Sequence, residues 1–154
     1  MPPTITAQLG GALAEESTGQ DADLAAALDA ATAGARAALA QEDVARAELS
    51  LTLLDDASMR ELNRQWLQRD ATTDVIAFPL WEEGDPPVGD VYIGWEAALR
   101  QAQENGCPVV EEVTRLAVHG SLHVLGWDHP EGPERTASPM WALQERIVVG
   151  ALRR

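Results

Sequence analysis

Three histidines within eleven residues place the strongest constraint on how this chain folds. His119, His123 and His129 are the only histidines among 154 residues, and they lie in the segment HGSLHVLGWDH. His119 and His123 are four residues apart, so on a helix they lie on one face, about one turn from each other. A straight helix would carry a third ligand past the same point. The chain must therefore turn back before His129, and Gly126 stands where a left-handed C-terminal cap would end the helix.

This spacing predicts a metal site. Imidazole is the commonest protein ligand for zinc and its neighbours in the first transition row. Three protein ligands leave a fourth position for water, which is typical of catalytic zinc, and the single cysteine, Cys107, lies outside the motif. We predict one zinc ion per chain on His119, His123 and His129, with other first-row divalent metals as alternatives. The competing interpretation is hydrogen-bonded core histidines, because the surrounding helix is apolar nearly all round.

The residue after the first histidine narrows the chemistry. The spacing equals that of the metzincin proteases, but their general base, a glutamate, is replaced here by Gly120. Peptide hydrolysis then loses its proton acceptor, whereas Lewis-acid activation of a phosphoryl group does not need that residue. A metalloprotease-like hydrolase is therefore the less favoured alternative. A glycine also lets the helix pack closely on a sheet.

The motif His-Gly-x-Leu-His-x-x-Gly-x-Asp-His resembles the signature of the YbeY family of bacterial metal-dependent endoribonucleases. Segments 49–56, 61–63, 73–79 and 89–93 are similar to other parts of that family, in the same order. The resemblance implies a zincin-like fold and a single-strand-specific endoribonuclease of rRNA maturation (16S 3′ end processing) and ribosome quality control. Its implied partner is ribosomal RNA, and the acidic charge of the chain adds ribosomal proteins or a ribosome-associated GTPase as candidate partners.

The chain departs from the family at Leu67, where the family usually has an arginine. Arg64 and Arg69 are the nearest candidates to supply a positive charge to the substrate, although both are equally consistent with solvated ion pairs. Asp74 is a candidate to orient a ligand or the substrate from a strand end. All three are predicted substrate contacts, with turn hydrogen bonding as the alternative for Asp74.

Two residues beside the third histidine complete the predicted site. Asp128 is a candidate catalytic residue that would hold a ligand histidine or assist proton transfer, with a plain turn aspartate as the alternative. Trp127 lies in the loop between the ligands and is a candidate to contact the substrate by stacking.

The charge of the chain argues against broad contact with RNA phosphates. The net charge is −14, and all eleven basic residues are arginine. Acidity suits a basic protein partner, so a metal-stabilised ribosome-assembly factor with little intrinsic nuclease activity is the alternative function. No apolar run reaches the ~18 residues of a membrane span, and the first residues lack the features of a secretory signal. We therefore expect a cytoplasmic protein without a membrane partner.

The pattern of apolar residues predicts an α+β fold, with a small mixed β-sheet packed with about five helices. We divide the chain into an N-terminal extension, residues 1–22, with a candidate first strand from Thr4 to Leu9, and a single metal-binding domain, residues 23–154. The further predicted strands are 48–54, 73–78 and 88–94. The predicted helices are 23–40, one after Asp55 or Asp56, 95–105, 109–125 and 140–152. The metal motif falls on the fourth of these helices, which we expect to be central and buried.

Overall fold

Strands and helices are interspersed up to residue 94, and the described residues that follow form helices and loops only. The computed structural model describes residues 2–16, 21–69 and 71–153. Within them the elements are β1 (Thr4–Leu9), α1 (Gly11–Glu16), α2 (Ala22–Gln41), β2 (Glu48–Leu54), α3 (Asp56–Leu67), β3 (Val75–Pro79), β4 (Val88–Gly94), α4 (Trp95–Asn105), α5 (Val109–Val124), a 3-10 helix (Gly132–Ala137) and α6 (Pro139–Leu152).

The four strands form one mixed sheet in the order β1-β2-β4-β3. β1 and β4 both run parallel to β2, whereas β3 pairs antiparallel with β4. Because side chains alternate across a strand, Leu49, Leu51 and Leu53 of β2 all reach the main core on one face. Leu54 points the other way and packs with Met59 of α3. β3 is left as the edge strand farthest from β1.

Helix α5 lies at the centre of the molecule, between the sheet, α2 and α6. Glycine residues allow α5 to approach both α2 and the sheet closely. A Cβ on Gly34 of α2 would lie 2.8 Å from the carbonyl oxygen of Thr114 on α5, and a Cβ on Gly120 would lie 2.5 Å from Cγ1 of Val91 on β4. A side chain at position 120 would therefore push α5 off the sheet. The predicted role of Gly120 in close packing is confirmed.

The helix boundaries follow from local capping. The side chain of Asp55 accepts a hydrogen bond from the backbone N–H of Ser58 at 3.1 Å and so caps α3. Asp21 does the same for α2, accepting from the backbone N–H groups of Asp23 and Leu24. Gly106 ends α4 with a φ of +65°, which glycine adopts without strain.

The predicted α+β class is confirmed, with a small mixed sheet and the histidine motif on a central buried helix. The candidate first strand is also confirmed, since β1 occupies Thr4–Leu9 and pairs with β2. Two short helices, α1 and the 3-10 helix, exceed the predicted number because six-residue segments are too short to show an apolar period. Residues 1 and 17–20 of the predicted extension lie outside the described residues, and the boundary at residue 22 stays a prediction. No described helix combines the length and apolar character of a membrane span.

Candidate metal centre

The first two histidines are carried by the last turns of α5, and a tight cap returns the chain toward them. Gly126 has a φ of +105°, and its N–H donates to the carbonyl oxygen of His123 at 3.0 Å. The N–H of Trp127 donates to the carbonyl oxygen of Leu122, also at 3.0 Å. These two bonds form a Schellman cap, which needs a left-handed residue at the glycine position. The predicted break at Gly126 is confirmed, and it directs His129 back beside the helix.

The three imidazole rings converge on one point. Nε2 of His119 lies 3.0 Å from Nε2 of His123 and 3.3 Å from Nε2 of His129. One nitrogen from each ring falls within 4.8 Å of the other two. Ligands 2.0–2.1 Å from a tetrahedral ion are separated from each other by about 3.3 Å. The spacing of these nitrogens therefore fits a single first-row metal ion, and the three histidines could hold one.

The other nitrogen of each ring is held by an oxygen atom. Nδ1 of His123 lies 2.9 Å from the carbonyl oxygen of Trp127, and Nδ1 of His129 lies 2.9 Å from that of Pro130. Nδ1 of His119 lies 2.6 Å from Oε1 of Gln144, whose Nε2 donates to a carboxylate and so fixes the amide orientation. Carbonyl oxygens only accept, so each Nδ1 carries the ring proton. All three Nε2 lone pairs then face one another, an arrangement that a cation stabilises and that neutral rings alone do not.

Burial keeps the rings of His119 and His123 neutral and ready to bind a cation. His119 is only 6% exposed, and burial lowers its pKa from 6.5 to about 4, despite the hydrogen bond to Gln144. Burial also lowers the pKa of His123, although the carbonyl oxygen of Trp127 opposes the shift. A hydrogen bond between two Nε2 atoms would require one ring to be charged. The low pKa of His119 disfavours that, and so disfavours the interpretation of the cluster as ordinary hydrogen-bonded core histidines.

The histidines open into a cavity of about 540 Å³ between the end of α3, the edge strand β3 and the loop after α5. Four residues singled out in the sequence lie on its wall: Leu67, Arg69, Asp74 and Asp128. An ion on the histidines would therefore face an open, solvated space large enough for a nucleotide-sized group.

The polar wall residues are partly held in place. A carboxylate oxygen of Asp74 accepts from Nε2 of Gln101 at 3.0 Å, and Asp128 accepts from the backbone N–H of His129 at 2.9 Å. Arg69 lies 3.7 Å from Glu131, a pair in which both side chains are largely exposed. Such an exposed pair contributes about 0–1 kcal/mol, so it opens readily for another anion.

Two predicted substrate contacts lie away from this cavity. Arg64 donates to the carboxylate of Glu61 on the exposed side of α3 and does not line the cavity. The indole N–H of Trp127 donates to the carboxylate of Glu42, and its ring packs against the core between α2, α5 and α6. Trp127 thus contributes to the site through its carbonyl oxygen, which orients His123, rather than through an exposed ring.

The structure also places residues in the site that the sequence analysis missed. Gln144 is buried (1% exposed) and orients His119, while Arg135 of the 3-10 helix lines the cavity. Asn63 donates from Nδ2 to the carbonyl oxygen of Ala71 at 2.8 Å and so holds the loop that carries Arg69. A glutamine on the apolar face of α6 was a usable signal for Gln144, since buried amides need partners. Nothing in the sequence pattern marks Arg135.

Comparison with known proteins gives a family match over most of the chain. The family model described as "Endoribonuclease YbeY" matches residues 14–150. Three relatives carry the same name. The protein of Persephonella marina is 46% identical over 106 residues, covering 65% of this chain and 67% of its own length. The protein of Moorella thermoacetica is 46% identical over 127 residues, covering 75% of this chain and 80% of its own length. The Myxococcus xanthus protein is 44% identical over 135 residues, which cover 84% of this chain but 44% of that longer protein.

The solution structure of a Thermotoga maritima protein is similar in fold. It aligns with a TM-score of 0.63 at 23% identity, covering 96% of this chain and 89% of the other. At that identity the likeness concerns the fold alone, and it agrees with the α+β arrangement described above.

Proposed function

Because this chain belongs to the endoribonuclease YbeY family, we propose that it is a metal-dependent, single-strand-specific endoribonuclease that acts in rRNA maturation and ribosome quality control. The proposed substrate is ribosomal RNA, with processing of the 16S 3′ end as its main reaction. We place the activity in the cytoplasm, with ribosomal proteins or a ribosome-associated GTPase as further partners. Zinc is the proposed ion, and other first-row divalent ions are alternatives.

The observation that carries this proposal is the convergence of three imidazoles on one point at the wall of an open cavity. His119, His123 and His129 are the proposed ligands, each with its Nδ1 proton bound by an oxygen. An ion bound there would supply Lewis-acid activation of water and of a phosphoryl oxygen. Asp128 is exposed beside His129 and is the candidate to accept a proton. Arg69 and Asp74, which line the same cavity, are proposed to orient the substrate.

Position 120 does not carry the glutamate that serves metzincin peptidases as a base. Gly120 occupies the position of the metzincin glutamate, and the valine of β4 that it contacts leaves no space for a side chain. The geometry therefore favours a phosphodiester over a peptide as substrate.

The test is cleavage of a fluorescent single-stranded rRNA fragment by the zinc-loaded protein. We expect His123→Ala to lower the rate at least ~100-fold, because one ligand of three is lost. Gln103→Ala, a change at an exposed position of α4 outside the described cavities, is the matched control and should cleave like the wild type. Chelation should abolish activity and zinc should restore it. Equal rates for the wild type and His123→Ala would refute the proposal and indicate a contaminating nuclease.

The alternative is a ribosome-assembly factor that uses the metal for stability. The net charge of −14 favours it, because an acidic surface repels free RNA and attracts basic ribosomal proteins. Leu67 on the cavity wall favours it as well, since the family usually has an arginine at that position. Salt-sensitive binding of the wild type to ribosomal subunits, without cleavage of any RNA tested, would support this alternative.

A further inference from the structure

Arg135 occupies a distinctive place beside the three histidines. It belongs to the 3-10 helix Gly132–Ala137 and lines the histidine cavity on one side. On the other side it lines a second cavity of about 600 Å³. His119 and Asp74 are also shared by the two cavities. The guanidinium group therefore stands at the boundary between the histidines and this second space.

The guanidinium of Arg135 is positioned by an aromatic ring. Its Cζ atom lies 5.5 Å from the ring centroid of Trp141 on α6, the geometry of a cation–π contact. No ion pair joins Arg135 to another residue of the described ranges, and its buried Nε has no hydrogen-bond partner there. Arg69, on the same cavity wall, is by contrast paired with Glu131. Arg135 thus presents a positive charge whose terminal Nη atoms, unlike the buried Nε, are left to bind an anion.

The charges around Arg135 determine on which side an anion would bind. Besides Arg135 and Asp74, the second cavity is lined by the four carboxylates Glu104, Glu111, Glu112 and Glu145 and by one cation, Arg115, which pairs with the last three. Negative charge therefore exceeds positive charge there and repels anions. In the histidine cavity the charged wall residues are Arg69, Arg135, Asp74, Asp128 and Glu131. With a divalent ion on the histidines, positive charge exceeds negative charge on that side. An anion attracted by Arg135 is therefore directed toward the histidines.

We propose that Arg135 binds a phosphate group of the substrate next to the three histidines and so supplies much of the local attraction for RNA in this acidic protein. The inference rests on the proposed function. A guanidinium fits the planar, bidentate recognition of phosphate oxygens, and its hydrogen bonds to an anion are about twice as strong as neutral ones. The contact with Trp141 reduces the freedom that Arg135 would lose on binding.

The first experiment uses a probe that does not require catalysis. Inorganic phosphate is titrated calorimetrically into the zinc-loaded wild type and into zinc-loaded Arg135→Gln and Arg135→Lys. The control is Arg146→Ala, which removes one positive charge from an exposed position of α6. We expect at least ~10-fold weaker binding for Arg135→Gln and ~3-fold weaker binding for Arg135→Lys, which keeps the charge but loses the bidentate geometry. Arg146→Ala should match the wild type. Circular dichroism checks folding, and Arg135→Lys remains informative if the glutamine variant does not fold.

The second experiment uses RNA. A single-stranded oligoribonucleotide with 2′-O-methyl sugars, which resists cleavage, is compared with one whose central linkages are uncharged methylphosphonates. Arg135→Gln should weaken binding of the charged strand ~10-fold and binding of the uncharged strand by less than ~2-fold. The salt dependence of binding to the charged strand should fall by the amount that corresponds to about one phosphate contact.

The outcomes separate this inference from the proposed function. Equal phosphate and oligonucleotide affinities for the wild type and a folded Arg135→Gln variant would overturn the role of Arg135, even if RNA is cleaved. A 10-fold loss of phosphate binding in a protein that cleaves no RNA would support the phosphate site while the nuclease proposal fails. Equal losses for both strands would also overturn the inference, because a contact with phosphate charge requires a difference between them.

Discussion

Replacing Gln144 by leucine tests whether metal binding depends on the hydrogen bond that keeps the ring proton of His119 on Nδ1. The side chain of Gln144 is buried, and its Oε1 lies 2.6 Å from Nδ1 of His119. An ion on Nε2 of His119 requires the ring proton to stay on Nδ1. In the leucine variant the metal-free ring can move that proton to Nε2, whereas the metal-bound ring keeps a buried Nδ1–H without an acceptor. The penalty therefore falls on the bound state.

The size of the effect follows from the burial of the pair. An unsatisfied buried donor costs about 1–3 kcal/mol. Since ~1.4 kcal/mol corresponds to a tenfold change in a dissociation constant, we expect zinc to bind ~10–100-fold more weakly. This agrees with the typical effect of removing a group that orients a ligand histidine. Gln144→Glu keeps an acceptor for Nδ1, so we expect it to retain at least the affinity of the wild type.

The assay is competition for zinc against a chromophoric chelator, with the free energy of unfolding of the metal-free proteins measured in parallel. Gln8→Leu is the matched control, because Gln8 also donates to a side chain, that of Thr52 at 3.3 Å, but lies on β1 at the far edge of the sheet. The control should bind zinc like the wild type. A folded Gln144→Leu variant with unchanged zinc affinity would refute the argument that this hydrogen bond orients His119 for the metal.

Three further predictions concern pH, a buried cation and the close approach of α5 to the sheet. Burial lowers the pKa of His119 from 6.5 to about 4. In chelator, the unfolded chain therefore binds a proton that the folded protein excludes, and the free energy of unfolding should fall by roughly 3 kcal/mol between pH 6.5 and 4. His119→Gln should lack this part of the fall. Arg115→Ala should lower the free energy of unfolding by about 3 kcal/mol in urea titrations, because Glu112 is 3% exposed and would lose its cation. Gly120→Ala should destabilise by about 1–3 kcal/mol, since its Cβ would meet a valine of β4, whereas Gly150→Ala, which meets nothing within 4 Å, should stabilise slightly.

Each of these has an outcome that would contradict it. Parallel curves of unfolding free energy against pH for the wild type and His119→Gln, between pH 4 and 6.5, would show that burial does not lower the pKa of His119. An Arg115→Ala variant as stable as the wild type would mean that the carboxylate of Glu112 relaxes into water. Equal melting temperatures for Gly120→Ala and Gly150→Ala would mean that α5 can move away from the sheet without loss of stability.

Local features of the sequence were sufficient to predict most elements of the fold. The spacing of His119 and His123 predicts a helix, and Gly126 predicts its end, because the left-handed residue of this type of cap is usually glycine. β2 and β4 were predicted within their observed bounds. Leucines alternate with polar residues in β2, whereas β4 was marked by the apolar residues that follow the turn at 84–87. The number of helices was underestimated because the two short ones carry no measurable period.

The candidate site was predictable only where its residues are neighbours in sequence. The three histidines lie within one segment, so their convergence could be inferred from helical geometry. Gln144 approaches His119 from another helix, and the position of Arg135 depends on how the 3-10 helix packs against Trp141. Trp127 shows the converse. It lies between the ligands in sequence, but the packing of α2 against α5 and α6 directs its ring into the core.

The sequence by itself determined the helix that carries two of the histidines, the glycine turn that returns the third, and the absence of a peptidase base at position 120. These properties depend on backbone geometry over a few residues, which local residue type controls. The tertiary structure alone decided which nitrogen of each ring faces the shared point, how deeply His119 is buried, and which charges line the cavity. Those properties depend on contacts between segments far apart in the chain, where the hydrogen bond from His119 to Gln144 and the stacking of Arg135 on Trp141 arise only after the helices have packed.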